Sequence, residues 1–138
     1  MWFRPSWGTP RVKVLLINPP RFSELQGKMP AMVEKHRGFN PPLGLLSIAG
    51  YLLEHSTHFV EVYDAQPENC TYSRLETILQ NRKTKPDVVG LTAMTFTLVD
   101  VVKTIKVVKK VFPRTRIVLG GPHTHIFPEE TINLDGVD

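Results

Sequence analysis

The residues able to do chemistry fall in four short stretches, each closing an apolar run. Asn18, Pro19 and Pro20 follow "VKVLLI", and Asp64 ends "FVEVYD". Thr92, Ala93, Met94 and Thr95 follow "DVVGL". Gly120, Gly121, Pro122 and His123 follow "RIVL". The set offers a carboxamide, hydroxyls, glycines and stiff prolines. It suits binding through shape and backbone contacts, and it lacks the matched acid and base that proton transfer needs. Thr92 and Thr95, placed ahead of a helix start, bring hydroxyls and amides that suit a polar or anionic group. Gly120 and Gly121 let a bulky ligand approach the backbone. Two glycines after a strand are also an ordinary turn, so each stretch is weak alone.

Other reactive types are scattered. His123 and His125 stand two apart on an expected loop, with no third metal ligand in view, and read as loop histidines. His55 and His58 flank a helix end, where a cation suits the dipole. His36 and Arg37 lie in a long irregular stretch and either close over a ligand or simply belong to a loop. Met94 and Phe96 read first as core. Cys70 is the one cysteine. It excludes an internal disulfide, a four-cysteine zinc site and a cysteine-ligated cluster within this chain.

The elements that must position these residues alternate. "VKVLLI" is nearly continuous and β-branched, as in a strand covered on both faces. "NPPLGLLSIAGYLLEH" predicts a helix capped by Asn40, with Leu45, Ile48, Ala49 and Leu52 as its buried stripe. Gly50 inside that helix implies close packing on a strand. "FVEVYD" is shorter and more polar, an edge strand. Residues 72–83 predict a modest helix, and "PDVVGLT" a third strand. "TLVDVVKTIKVVKKVF" predicts the strongest helix, capped by Thr97, with Leu98, Val101, Val102, Ile105, Val108 and Phe112 inward. "RIVLG" is a fourth strand, and a short helix runs from Pro128 to Asn133.

Strands alternating with helices imply a parallel sheet with right-handed crossovers. The expected fold is α/β, a flavodoxin-like three-layer α/β/α with strand order 2-1-3-4 and a fifth strand beginning near "DGVD", where the sequence stops. Ligands of such sheets bind beyond the carboxyl ends of the strands, at the switch in strand order. The loops after strands one, three and four meet there. The usual occupants fail. There is no Gly-x-Gly-x-x-Gly, no P-loop run, no Ser/Thr/Gly-rich phosphate loop, and strand three ends in Thr92 where a phospho-receiver needs an aspartate. Asp64 could read a ribose, but with no phosphate loop beside it a structural or capping role comes first.

A length of 138 residues, 41% apolar and 22% charged, fits one globular domain. Residues 1–11 read as an irregular arm. No run approaches the ~20 apolar residues that span a bilayer, and the start lacks a signal-peptide core. A cytoplasmic protein with no membrane span is expected. The net charge of +4 owes much to Lys103, Lys106, Lys109 and Lys110. These read as a solvated helix face, and no nucleic-acid partner is expected from them.

Taken in order, "VKVLLINPP", "NPPLGLLSIAGYLLE", "VEVYDA", "PDVVGLTAMTFT" and "IVLGGPHTHIFPEE" resemble the cobalamin-binding domain. More narrowly, they resemble the version that precedes a radical S-adenosylmethionine domain, as in anaerobic magnesium-protoporphyrin monomethyl ester cyclase and cobalamin-dependent methyltransferases. The resemblance covers residues 12–138. It implies a cobalamin-binding module, with a C-terminal truncation, of a longer enzyme whose radical S-adenosylmethionine domain carries an iron–sulfur cluster. The Cys-x-x-x-Cys-x-x-Cys of that domain is absent here, so no catalysis by this chain alone is expected. Other branches of the family carry Asp-x-His-x-x-Gly after strand one, with the histidine on cobalt. Here Asn18-Pro19-Pro20-Arg21 stands there. This implies cobalamin held with its own base displaced and no protein ligand on the metal. By the same resemblance Asn18, Pro19 and Pro20 form a stiff rim. Thr92 and Thr95 meet the nucleotide tail, and Ala93 and Met94 between them count among the cofactor-binding residues. Gly120 and Gly121 line the tail's channel, Pro122 after them counts among the cofactor-binding residues, and His123 approaches the corrin edge. A flavin- or nucleotide-binding module and a ligand-free structural domain are the alternatives.

Overall fold

The structure is a computed structural model that describes residues 10–23, 38 and 40–138. The expected arms and loops at residues 1–9, 24–37 and 39, including His36 and Arg37, lie outside the described residues. Four parallel strands form one sheet in the order β2-β1-β3-β4. They are β1 (Lys13–Asn18), β2 (Phe59–Asp64), β3 (Val88–Thr92) and β4 (Arg116–Gly120). The helices are α1 (Leu43–His55), α2 (Tyr72–Gln80), α3 (Leu98–Val111), α4 (Pro122–Ile126) and α5 (Pro128–Ile132). This is the flavodoxin-like α/β arrangement expected from the alternating pattern.

β1 is central because it can be. Its apolar run pairs with β2 from Lys13–Phe59 to Asn18–Asp64, and with β3 from Val14–Val88 to Ile17–Leu91. Side chains alternate across a strand. Leu15 and Ile17 therefore enter a large core with Leu75 and Leu79 of α2, Val101, Ile105 and Val108 of α3, and Val89, Leu91 and Ile117 of the sheet. Leu16 enters a smaller core on the other face with Leu45 and Ala49 of α1. β2 is an edge strand, as its polar residues predict.

Four local expectations are corrected. Asn40 does not cap α1, because Pro42 occupies that position without a side-chain cap and the Leu43 and Leu46 amides donate to Pro41 and Pro42 carbonyls. Thr97 holds the N-cap position of α3, as expected, but its side chain makes no cap bond. A turn of 3₁₀ helix over Thr95–Thr97 leads into the helix, and the Thr97 hydroxyl donates to the Met94 carbonyl at 3.2 Å. The stripe of α1 is narrower than its apolar content. Ile48 is 50% exposed, and a Cβ on Gly50 would meet nothing within 4 Å, so that glycine is not there for strand packing. Finally, "PHTHI" is the short helix α4, not a loop.

At the outer side of β4, the Asp138 amide donates to the Ile117 carbonyl at 3.0 Å. The Asp138 carboxylate accepts from Lys109 Nζ and the Ile117 amide, both at 2.8 Å. Those bonds, the Lys109 one foremost, hold its carboxyl below the usual aspartate range. Among the described residues, no helix is long and apolar enough to cross a membrane.

Candidate functional site

A cavity of ≈ 640 Å³ opens at the carboxyl ends of the strands, a size within the usual range for small-molecule sites. Asn18 ends β1, Thr92 ends β3, and Gly121 follows β4; all three are on its wall. Of the residues singled out in the sequence, Asn18, Pro19, Pro20, Thr92, Met94, Gly121 and Pro122 line it together. Ala93, Thr95, Gly120 and His123 are not on that wall: Ala93 and His123 are buried, and Thr95 and Gly120 are exposed. The Ala93 amide donates to the Gly120 carbonyl at 2.7 Å, and the Ala93 carbonyl accepts from the His123 amide at 3.1 Å. These bonds splice the loop after β3 to the loop after β4.

His123 is the least expected placement. Its side chain is 1% exposed and packs against Phe127, ring centroids 5.2 Å apart. Its Nδ1 lies 3.1 Å from the Thr95 hydroxyl, while Nε2 is buried with no hydrogen-bond partner among the described residues. The imidazole thus braces the turn after β3 from inside. His125 is exposed. Among the described residues, no group of three or more His, Cys, Asp or Glu side chains could hold a metal ion.

Gly121 owes its identity to the protein's own packing. Its φ of 102° and ψ of 179° lie in a region that side chains avoid, and an added Cβ would sit 2.7 Å from the Ala93 carbonyl oxygen. Gly120, by contrast, faces open space.

The end of β1 is a polar knot. Asn18 is 6% exposed, and its Nδ2 donates to Asp64 Oδ1 at 2.8 Å. Gln66 Nε2 donates to Asn18 Oδ1 and to the Pro19 carbonyl, both at 3.2 Å, and the Gln66 amide donates to Asp64 Oδ1. Asp64 therefore acts as the structural anchor of this corner. Pro19 and Pro20 are buried. Arg21 lies over the Phe96 ring, 5.9 Å from its centroid, and both line the cavity.

The chain then meets α2 and α3. The Ser23 amide donates to both Asp100 carboxylate oxygens, at 3.1 and 2.8 Å, and the Tyr72 hydroxyl donates to Asp100 Oδ1. Lys103 Nζ donates to Ser23 Oγ at 2.8 Å and lies 5.4 Å from the Tyr72 ring centroid. Burial first, then the bond to Asp100, pushes the Tyr72 hydroxyl above the ordinary tyrosine range.

Sequence reasoning missed the opposite wall. Asn40, Pro41, Pro42, Leu43 and Gly44 bring the start of α1 to the cavity, with no acidic residue in its first turn. That end carries the positive pole of the helix dipole. The signal in the sequence is the Pro41-Pro42 pair ahead of the helix. Gln66 was missed because it lies past the strand it serves.

The arrangement can bind, and among the described residues that line it there is no carboxylate, histidine or cysteine. It joins amide and hydroxyl groups to apolar Pro, Leu, Met and Phe surface, which suits a large flat ligand with an amide-bearing rim. The B12 binding domain family matches residues 29–138. An uncharacterized methyltransferase of Pyrococcus horikoshii is 32% identical over 121 residues, which make 88% of this chain and 24% of that protein. The chain thus spans about a quarter of that relative's length. No solved structure matches it.

Proposed function

The chain belongs to the B12-binding domain family, and we propose on that footing that its crevice holds cobalamin for a methyl-transferring protein. The observation that carries this reading is the coincidence of the family match with the cavity: its lining from Gly38 to Pro122 lies inside the matched residues, and Asn18 to Arg21 lie ahead of them. The residues fit the cofactor. Gln66, Asn40 and the Thr92 and Thr97 hydroxyls can meet amide groups at its rim, and Pro20, Leu45, Met94 and Phe96 offer apolar surface to its ring. The uncapped start of α1 suits the phosphodiester of its nucleotide tail. Bound cobalamin supplies a cobalt centre that accepts and gives up a methyl group.

The finer reading is cobalamin bound with its own base displaced and no histidine of this chain on cobalt. The residues that leave β1 are Asn18, Pro19, Pro20 and Arg21, and His123 is turned inward onto Thr95. The protein's part is to grip, orient and keep water from one face. A radical S-adenosylmethionine domain with its iron–sulfur cluster is the partner proposed for the chemistry, and the relative described as a methyltransferase is four times longer than the matched stretch.

Titration with hydroxocobalamin, followed by visible absorbance, tests this. A saturable shift toward a base-off spectrum is expected. Folded protein that leaves the spectrum of the free cofactor unchanged overturns the assignment. Retention of a yellow flavin instead assigns the crevice to that ligand.

A further inference from the structure

We infer that Asp100 is a positioning residue: it clamps the chain leaving β1 and so holds the Pro19–Arg21 wall of the cavity in place for the ligand. The inference rests on the cobalamin reading above and names a residue outside the cavity as one determinant of its affinity. Asp100 is 0% exposed. A carboxylate so placed is costly unless its oxygens are bonded. An aspartate in the first turn of a helix usually serves that helix's own amides. This one is aimed elsewhere. It takes the Ser23 amide with both oxygens and the Tyr72 hydroxyl with one.

Three further contacts converge on the same spot. Lys103 holds the Ser23 hydroxyl, the Lys103 ammonium lies over the Tyr72 ring, and Phe22 packs edge-on against Tyr72 at 5.9 Å. Only Arg21 and Phe22 separate Ser23 from Pro20. The other end of the segment is tied at Asn18 by Asp64 and Gln66. The rim is therefore fixed at both ends, and two prolines stiffen what lies between. A shift at Ser23 has little slack to absorb it before it reaches the wall.

The test uses Asp100→Ala and Tyr72→Phe, with Val108→Ala as a control buried further along α3. Three readouts are taken on each: urea stability, exchange of the Ser23 amide proton by NMR, and the cobalamin Kd. Both clamp variants should lose Ser23 protection beyond their change in global stability. The Kd of Asp100→Ala should rise about tenfold or more, as when a hydrogen bond to a charged group is lost. Val108→Ala should lose stability while its Kd and corrected Ser23 protection stay put. If Asp100→Ala does not fold, Tyr72→Phe carries the same readouts with only a hydroxyl removed. Unchanged Ser23 exchange in the folded clamp variants overturns the clamp. Unchanged Kd alongside lost protection overturns its role in affinity. Wild-type protein that takes up no cobalamin overturns the ligand assignment and the affinity role with it, while Ser23 exchange still decides whether the clamp exists.

Discussion

Replacing Gly121 with alanine should damage the crevice far more than the same change at Gly120, its neighbour. The φ of 102° and ψ of 179° at Gly121 place a side chain where only glycine is comfortable, a cost of about 1–3 kcal/mol. The new Cβ would also stand 2.7 Å from the Ala93 carbonyl oxygen, 3.1 Å from its nitrogen and 3.1 Å from Thr92 Oγ1. Ala93 cannot yield cheaply. It is fully buried, its amide is bonded to Gly120 and its carbonyl to the His123 amide. Relief by movement would loosen those bonds, each worth about 1 kcal/mol. A total loss of about 3 kcal/mol is expected, a large share of a typical domain's stability. With a urea slope of about 1–3 kcal/mol per molar, the unfolding midpoint should fall by about 1–3 M. Gly120→Ala meets nothing within 4 Å and should stay within about 0.5 kcal/mol of wild type. Equal midpoints for the two variants would refute the packing argument.

Asn18→Ala should cost about 1–3 kcal/mol in urea unfolding, because it strips a partner from Asp64 Oδ1 and one from Gln66 Nε2 at once; it should also weaken cobalamin uptake. Ile48→Gln on the outer side of α1 should change stability by no more than about 0.5 kcal/mol, whereas Leu45→Ala, buried beneath it, should cost about 2–5 kcal/mol. Alkaline pH should destabilise the fold through Tyr72. Its hydroxyl is held above the ordinary tyrosine range when folded, so the unfolded chain ionises first. The stabilisation is complete below the ordinary tyrosine value and is lost as pH climbs through the folded one. Urea midpoints measured from pH 8 upward should fall less steeply in Tyr72→Phe than in wild type.

The sheet order was legible because burial dictates it. A strand as apolar as Leu15–Leu16–Ile17 has to be covered on both faces, and one as polar as Phe59–Asp64 can live at an edge. The inward stripe of α3 was legible for the same reason, since Val101, Ile105, Val108 and Phe112 recur at helical spacing and are all buried. The cap bonds were not legible. Asn40 has the right side chain, yet Pro42 takes the cap position of α1, and Thr97 holds the cap position of α3 with its hydroxyl turned back to the Met94 carbonyl. The outer side of α1 misled in the opposite sense. Leu43, Leu46, Tyr51 and Leu53 are exposed, so apolar content overstated how much of the helix the sheet covers. The site divided along the same line. Residues at strand ends were found, while Gln66 and the first turn of α1 were missed, because they reach the cavity only through the crossover of the chain. Asp100 sits in the first turn of α3, where a negative charge suits the helix start, and nothing local to its sequence announces partners in the loop after β1.

The two prolines after β1 now have a physical account. Pro19 lacks an amide to bond, so its carbonyl is the group that matters, and Gln66 holds it. Asn18 turns both ends of its carboxamide inward, to Asp64 and Gln66. A residue so committed cannot also be a ligand to a metal, and a proline pair gives no side chain that could. What the segment gains is stiffness between two anchors, at Asn18 and at Ser23. That favours a ligand recognised by its outline and its amides over one gripped through its metal. It is the condition under which the base-off spectrum and the effect of the distant Asp100 should appear together.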